Sequence, residues 1–405
     1  MRILMLTPAL PYPPHQGGAL RNFGLIHGLH AAGHQVTLLS FVTDEDIYQP
    51  TPLHDICQHV ETVPAPARSV SRRLADMITS PQPDLIRRLA SPAFRQCLVE
   101  LLQQQSFDLV QFEGLEMTGY LADVRQHQPN ARLCYDAHNA EYRLQQVIYD
   151  IDRSQPERWP SAAYSFIQAR RIAHFERMVC QTVDCVLAVS EEDAAALRPF
   201  RTDQCIAVIA NGIFVDHYNG NAEELDLGTH VLTFTGKMDY RPNVDAMLWF
   251  TTDIFPQVQA AVPDAHLYIV GQKPHARLES LRDNDHIALT GWVNEITPFL
   301  HATDVYVAPL RMGSGTRLKI LEAMAAGCAI VATTLAAAGL PDEARSALVL
   351  ADDATEMAQA IVTLLQDESQ RNRLGESAKA LVQQHYDWSV LIPRLLAVYK
   401  EIGLG

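Results

Sequence analysis

Residues 313–332 read GSGTRLKILEAMAAGCAIVA, a glycine turn, an amphipathic helix and an apolar strand in twenty residues. Gly313 and Gly315 lack Cβ atoms, so the backbone there can take positive φ and approach a ligand closely, and Thr316 stands where a helix N-cap belongs. The start of a helix carries about half a positive charge, and Arg317 and Lys319 add two full charges within the first turn. Such a turn favours an anion, a diphosphate above all. Glu322, further along the helix, can accept hydrogen bonds from vicinal hydroxyls such as those of a ribose, each charge-assisted bond contributing about 1.5 to 3 kcal/mol. A nucleoside diphosphate satisfies both halves. The plainer alternative, a helix-initiating turn with solvated cations and a surface acid, loses ground against the rest of the chain.

Outward from this stretch, short apolar runs alternate with longer amphipathic segments, as in parallel sheets wrapped by helices. The runs 2–7, 35–41, 107–112, 131–136, 184–189 and 205–209 are expected strands of the first half. Those of the second are 231–235, 265–270, 286–289, 305–308, 329–332 and 347–350. The pattern runs twice, and residues 211–228, rich in Asn, Gly and acids without a clear period, are the expected linker. At 405 residues the chain exceeds what one core usually supports, which also favours two domains. The expected fold is α/β, two doubly wound domains facing across a cleft, with ligands beyond the carboxyl ends of the strands.

Composition narrows the function. A hydrophobic fraction of 48% with 20% charged residues is that of an ordinary globular protein, and a formal net charge of −15 argues against a nucleic-acid partner. Any anion site must be local. The seven cysteines are odd in number and scattered through apolar runs, so they read as reduced core thiols; Cys180 and Cys185 near His174 fit no common zinc spacing. The first residues lack a signal-peptide apolar region, and no apolar run reaches eighteen residues, so a cytoplasmic protein is expected, peripheral at most to the inner face of the plasma membrane.

Several strand ends carry polar residues suited to a site. After the first strand, Gly17 and Gly18 precede a helix and can lie against a diphosphate or sugar. After the fourth comes Asp136-Ala137-His138-Asn139-Ala140-Glu141, either a functional cluster or a helix cap with a surface histidine. Gly236-Lys237-Met238 sets a cation at the mouth of another strand, with Arg241 close by, and Gly291-Trp292-Val293 offers a backbone edge and an aromatic that either seat a base or pack in the core.

Four blocks together resemble glycosyltransferase family 4, the retaining GT-B enzymes that use nucleotide-sugar donors: PYPPHQGG followed by GHQV, ANGIFVD at 210–216, GKMDYRPN at 236–243, and the opening stretch itself. The RPN and TRLKILE variants are similar to sugar transferases of bacterial exopolysaccharide clusters. The resemblance implies an amino-terminal acceptor domain over 1–215, a nucleotide-sugar domain over 229–387, and a terminal helix, 388–405, that crosses back to the first. It implies that Glu322 binds the donor ribose, that Lys319 and the backbone around Ser314, Gly315 and Leu318 hold the diphosphate, and that Lys237 is the first phosphate-binding cation. The family's second cation falls where this chain has Asn243, with Arg241 or Arg317 to compensate. His138 resembles the histidine that contacts the transferred sugar, and Gly17 and Gly18 match the loop over the diphosphate. Ser314 stands where the family usually has the first Glu of its E-x7-E pattern, so sugar recognition must differ.

The resemblance implies a hexosyltransferase without a required metal or cofactor beyond its nucleotide-sugar donor. Arg317, Lys319 and Lys237 would stabilise the leaving diphosphate while His138 positions the sugar. Asp150-Ile151-Asp152 spells DxD but follows a helix-like stretch and reads as a solvated loop. A nucleotide-sugar epimerase of the same fold and a non-catalytic sugar-nucleotide sensor are the alternatives. The acceptor is expected to be a saccharide or a lipid-linked saccharide. Six arginines between residues 68 and 102 form either a solvated face or a peripheral membrane contact.

Overall fold

The computed structural model describes residues 1–14, 17–43, 51–154, 156–201, 205–220, 225–312 and 318–404. The chain divides into two compact units, residues 1–212 with 391–405, and residues 213–390.

In the first unit seven parallel strands lie in the order β3-β2-β1-β4-β5-β6-β7: β1 (Arg2–Thr7), β2 (Gln35–Val42), β3 (His59–Pro64), β4 (Leu109–Glu113), β5 (Arg132–Ala137), β6 (Cys185–Ala188) and β7 (Ile206–Val208). The inner strands are mostly apolar because helices cover both sheet faces: all of β1 beyond Arg2 is buried, and so is every residue of β4, including the polar Gln111 and Glu113. The chain moves outward from β1 to β3 and returns on the other side of β1 as β4, so the crossover direction reverses between β1 and β4. The edge strand β3 was not among the expected strands. Only Val63 of it is buried, so its sequence lacks the apolar run that betrays the others.

Phe94 stacks on Phe41 with ring centroids 4.3 Å apart and meets Tyr120 at 4.6 Å, which anchors the helix Pro92–Gln104 to this sheet. The helix Trp388–Glu401 enters this unit at Leu391, where Leu395 and Tyr399 are fully buried. It lies so close to the helix Gly17–Ala31 that a Cβ at Gly28 would collide with Ile392.

The second unit holds six parallel strands in the order β10-β9-β8-β11-β12-β13: β8 (Val231–Thr235), β9 (His266–Val270), β10 (Ile287–Gly291), β11 (Val305–Ala308), β12 (Ala329–Ala332) and β13 (Val349–Leu350). Its reversal falls between β8 and β11. The expected linker is in part built into this unit: the 3-10 turn Val215–Tyr218 is held by Val215 N donating to Asp387 Oδ2 at 3.0 Å and by Ile213 N donating to the carbonyl of Tyr386 at 2.8 Å. All seven cysteines are unbridged and five are buried. Among the described residues no helix is long and apolar enough to cross a membrane.

Candidate functional site

In the second unit the polar residues gather at the carboxyl ends of β8, β9 and β10. Gly236 follows β8, Gly271 follows β9, and the two backbones pass so closely that a Cβ on Gly271 would collide with the carbonyl oxygen of Gly236. A Cβ on Gly236 would itself lie 2.7 Å from both Asn243 Nδ2 and Lys319 Nζ. The glycines therefore admit two side chains into a space no larger residue would leave open. Lys319, from the helix Leu318–Ala325, sits 4.1 Å from the Phe234 ring centroid and donates to Asn243 Oδ1. Asn243, nearly buried, in turn donates from Nδ2 to the carbonyl of Lys237.

Glu322 follows Lys319 by one helical turn and accepts from the hydroxyl of Tyr218 at 3.4 Å. Burial raises its pKa above the ordinary carboxylate value, against the pull of Lys319 and the Tyr218 hydrogen bond. Lys237 is half exposed, 3.7 Å from Asp239. Arg241 opens the helix Arg241–Trp249 and is exposed. Trp292 is 61% exposed after the positive-φ Gly291, so it is not core packing, and Val293 beside it is partly buried. Leu318 is partly buried at the start of its helix. Gly313, Ser314, Gly315, Thr316 and Arg317 lie outside the described residues.

In the first unit the site residues form one buried network at the ends of β4 and β5. Arg21, one turn beyond Gly17 and Gly18, is 1% exposed and grips Asp136 with two hydrogen bonds of 2.8 Å. Its remaining nitrogen donates to the carbonyls of Ile209 and Ala210 and to Asn211 Oδ1, so the strand ends of β5 and β7 share one guanidinium. Glu113 pairs with Asp136 across the β4–β5 register, and both carboxyls are fully buried. Burial, and then the Asp136 charge, push the Glu113 pKa up to about 7, while a hydrogen bond from His138 opposes this.

His138 Nε2 lies 3.1 Å from Glu113 Oε2. Burial disfavours a charged imidazole, but the Glu113 bond and the Asp136 and Glu113 charges outweigh it, and the His138 pKa stands above its ordinary value. The opposite edge of the ring faces the exposed Gly18, where a Cβ would sit 3.7 Å from His138 Nδ1; Gly17 is exposed beside it. Sequence reasoning selected His138 and missed Arg21, Glu113 and Asn243 as its supports and those of Lys319. The one available signal was Glu113-Gly114, an acid at a strand end before a glycine.

Glu113, Asp136 and His138 each offer a ligand atom within 4.8 Å of the others, a spacing suited to a metal ion. The buried Arg21 guanidinium already engages both oxygens of Asp136. Within the structure Asp136 is bonded to Arg21, and Glu113 to His138.

Asp150 and Asp152 lie within the helix Glu141–Arg153, not in a loop. Asp152 is buried and accepts from Ser165 and Arg158. The arginine-rich stretch is also unlike a free cationic face. Arg68 and Arg87 pair with Asp76, Arg68 and Arg73 with Asp84, Arg88 with Glu116 and Arg95 with Asp123. These five arginines share four carboxylates, and Arg73, Arg88 and Arg95 remain about half exposed. A different surface is apolar. The hairpin of helices Glu141–Arg153 and Trp159–Thr182 exposes Val147, Ile148, Ile151, Trp159, Phe166 and Ile167.

The family described as Glycosyltransferase Family 4 matches residues 16–217, and that described as Glycosyl transferases group 1 matches residues 229–367. The phosphatidyl-myo-inositol mannosyltransferase of Mycolicibacterium smegmatis is 34% identical over 155 residues, 36% of this chain and 40% of that one. The chain thus spans less than half the length of that relative. An uncharacterized 44.6 kDa protein in the cps region of Klebsiella pneumoniae is 22% identical across 95% of this chain and 96% of its own. Among solved structures, Anabaena HepE in complex with UDP and glucose superposes with a TM-score of 0.63 at 14% identity, covering 99% of this chain and 100% of that one.

Proposed function

The chain belongs to glycosyltransferase family 4 and is a glycosyltransferase of the two-domain GT-B fold, and from that premise we propose a retaining transfer of a hexose from a nucleotide-diphosphate sugar to a saccharide or lipid-linked saccharide acceptor. The observation that carries this reading is the Lys319–Asn243–Gly236 arrangement with Glu322 one turn away: a cation oriented beside open backbone, and a carboxyl set to receive ribose hydroxyls. Lys319, Lys237 and Arg317 stabilise the diphosphate as charge develops on it. Their charge does the work that a metal performs elsewhere, and no metal or further cofactor is required in this reading. The acceptor oxygen bonds to the anomeric carbon on the face that the phosphate leaves. The departing phosphate oxygen takes the acceptor hydroxyl's proton, and His138 positions the sugar through the edge that faces Gly18.

The Klebsiella relative of a cps region, matched over nearly its full length, favours a role in capsule or exopolysaccharide synthesis. The mannosyltransferase relatives, named for a phosphatidyl-inositol, favour a lipid-bearing acceptor. The apolar hairpin of helices Glu141–Arg153 and Trp159–Thr182 fits such an acceptor, because its exposed Ile151, Trp159 and Phe166 suit contact with a lipid surface. The exposed Arg143 and Arg170 interleave with these apolar residues and suit anionic lipid, while Arg153 pairs with Asp150.

Thermal shift against UDP, GDP, ADP and their sugars tests the donor assignment, since ligand binding converts directly into stabilisation. Stabilisation by one nucleotide diphosphate, together with its loss in Lys319→Ala, is expected. Stereochemical change of a nucleotide-sugar without any acceptor would replace transfer by epimerisation. A Lys319→Ala strain with unchanged polysaccharide would favour a sensor.

A further inference from the structure

Behind His138 runs a buried chain of hydrogen bonds that ends on a helix from the far end of the sequence. The Tyr399 hydroxyl bonds Gln111 Oε1, Gln111 Nε2 donates to Glu113 Oε1 at 2.6 Å, and Glu113 Oε2 meets His138 Nε2. Tyr399, Gln111 and Glu113 are all fully buried. Asn22, with its amide nitrogen turned toward Glu113, lies 2.8 Å from the same Oε2.

The polarity of each link follows from its neighbour. Above its pKa of about 7 Glu113 is ionised and only accepts, so the nitrogen of the Gln111 amide must face it and the amide oxygen must face Tyr399. Tyr399 is then the donor at the outer end, and His138 Nε2 must carry a proton at the inner end. The second carboxyl nearby, Asp136, is engaged by Arg21 on both oxygens, and Glu141 has Asn139 as its hydrogen-bond partner. Glu113 is therefore the acid that addresses the imidazole.

We propose that Glu113 is a positioning residue for His138, held in place by Gln111 and Tyr399, and that this chain fixes the imidazole in the Nε2–H tautomer with Nδ1 presented at Gly18. A ring fixed this way offers a hydrogen-bond acceptor, not a donor, to a sugar hydroxyl whenever it is neutral. Its contact with sugar rests on the glycosyltransferase mechanism above; its tautomer does not. An unsupported surface histidine would exchange freely between tautomers. A network whose polarity is imposed from one end removes that freedom and keeps the orientation constant through the reaction cycle.

The test is 15N NMR of the full chain labelled at its sixteen histidines, with His138→Gln used to assign the resonance. In the wild type, above its pKa, His138 should show the Nε2–H pattern, and it should titrate above the ordinary imidazole value. Glu113→Gln keeps the shape but turns an amide nitrogen toward the ring, so the tautomer should switch to Nδ1–H and the pKa should fall. In the same variant kcat should fall by about 10- to 100-fold, as for other lost orienting partners, with the donor KM little changed. Tyr399→Phe removes the outermost hydroxyl but leaves Glu113 as the acceptor at Nε2, so the Nε2–H tautomer should persist there.

An Nδ1–H wild type, or a tautomer that Glu113→Gln leaves unchanged, overturns the proposal. If Glu113→Gln does not fold, the wild-type spectrum still decides. A tautomer that switches while the transfer rate holds leaves the positioning intact and overturns the sugar contact assigned to His138.

Discussion

Asn243 orients Lys319 without cancelling its charge: the amide oxygen accepts from the ammonium at 2.8 Å, while the amide nitrogen is fixed on the carbonyl of Lys237 at 2.9 Å. A carboxylate in the same place would hold the lysine equally well but would compete with a diphosphate for it. The position where the family usually carries a second cation thus holds a neutral group that aims the cation from the neighbouring helix.

Asn243→Ala is expected to fold and to lower kcat/KM by about tenfold, the value of one hydrogen bond to a charged group. Asn243→Asp should weaken nucleoside-diphosphate binding further, because it keeps the bond and adds an opposing charge. Titration calorimetry of both variants with the nucleotide that stabilises the wild type checks this order. Equal affinity in all three proteins would remove Asn243 from the site.

Gly18→Ala separates space from fold. Its Cβ would sit 3.7 Å from His138 Nδ1, an ordinary contact, so stability should change by less than about 0.5 kcal/mol, as for other surface substitutions. The methyl group would nevertheless occupy the approach to the imidazole edge. A raised KM for donor or acceptor with an unchanged melting temperature is expected from steady-state kinetics and calorimetry. Wild-type kinetics would show that the sugar lies elsewhere.

The pH dependence of stability has a definite sign. Burial and then opposing hydrogen bonds set Glu176 at about 8, and Glu113 stands at about 7, both above the ordinary 4.5. The folded chain therefore binds more protons than the unfolded one between pH 4.5 and about 8. The contribution of these two groups is fully present below pH 4.5 and is lost as pH rises through 7 and 8. Melting temperature should fall from pH 5.5 to 8.5, by about 2–4 °C for each kcal/mol removed. In Glu113→Gln this fall should be smaller, and a wild-type protein more stable at pH 8.5 would contradict the assignment.

Much of the sheet architecture was legible because the strands buried on both faces are mostly apolar. β1, β8, β11 and β12 begin and end at the expected residues. The edge strand β3, with a single buried residue, leaves no such trace. Asp152 misled for the opposite reason, since its neutralising partners Ser165 and Arg158 come from another segment and an acid alone reads as solvated. At the site, His138 and Lys319 could be chosen by residue type and position. Arg21, Glu113 and Gln111 could not, because their roles arise only where the ends of β4, β5 and β7 meet one helix.

The first unit is made of two pieces of chain, residues 1–212 and 391–405, and Tyr399 in the second piece reaches the hydrogen-bond chain behind His138. A hybrid enzyme spliced once, near residue 212, would therefore inherit its histidine from one parent and that histidine's outermost support from the other. Acceptor grafting between relatives needs a second crossover near residue 390, so that the short terminal piece travels with the unit it completes.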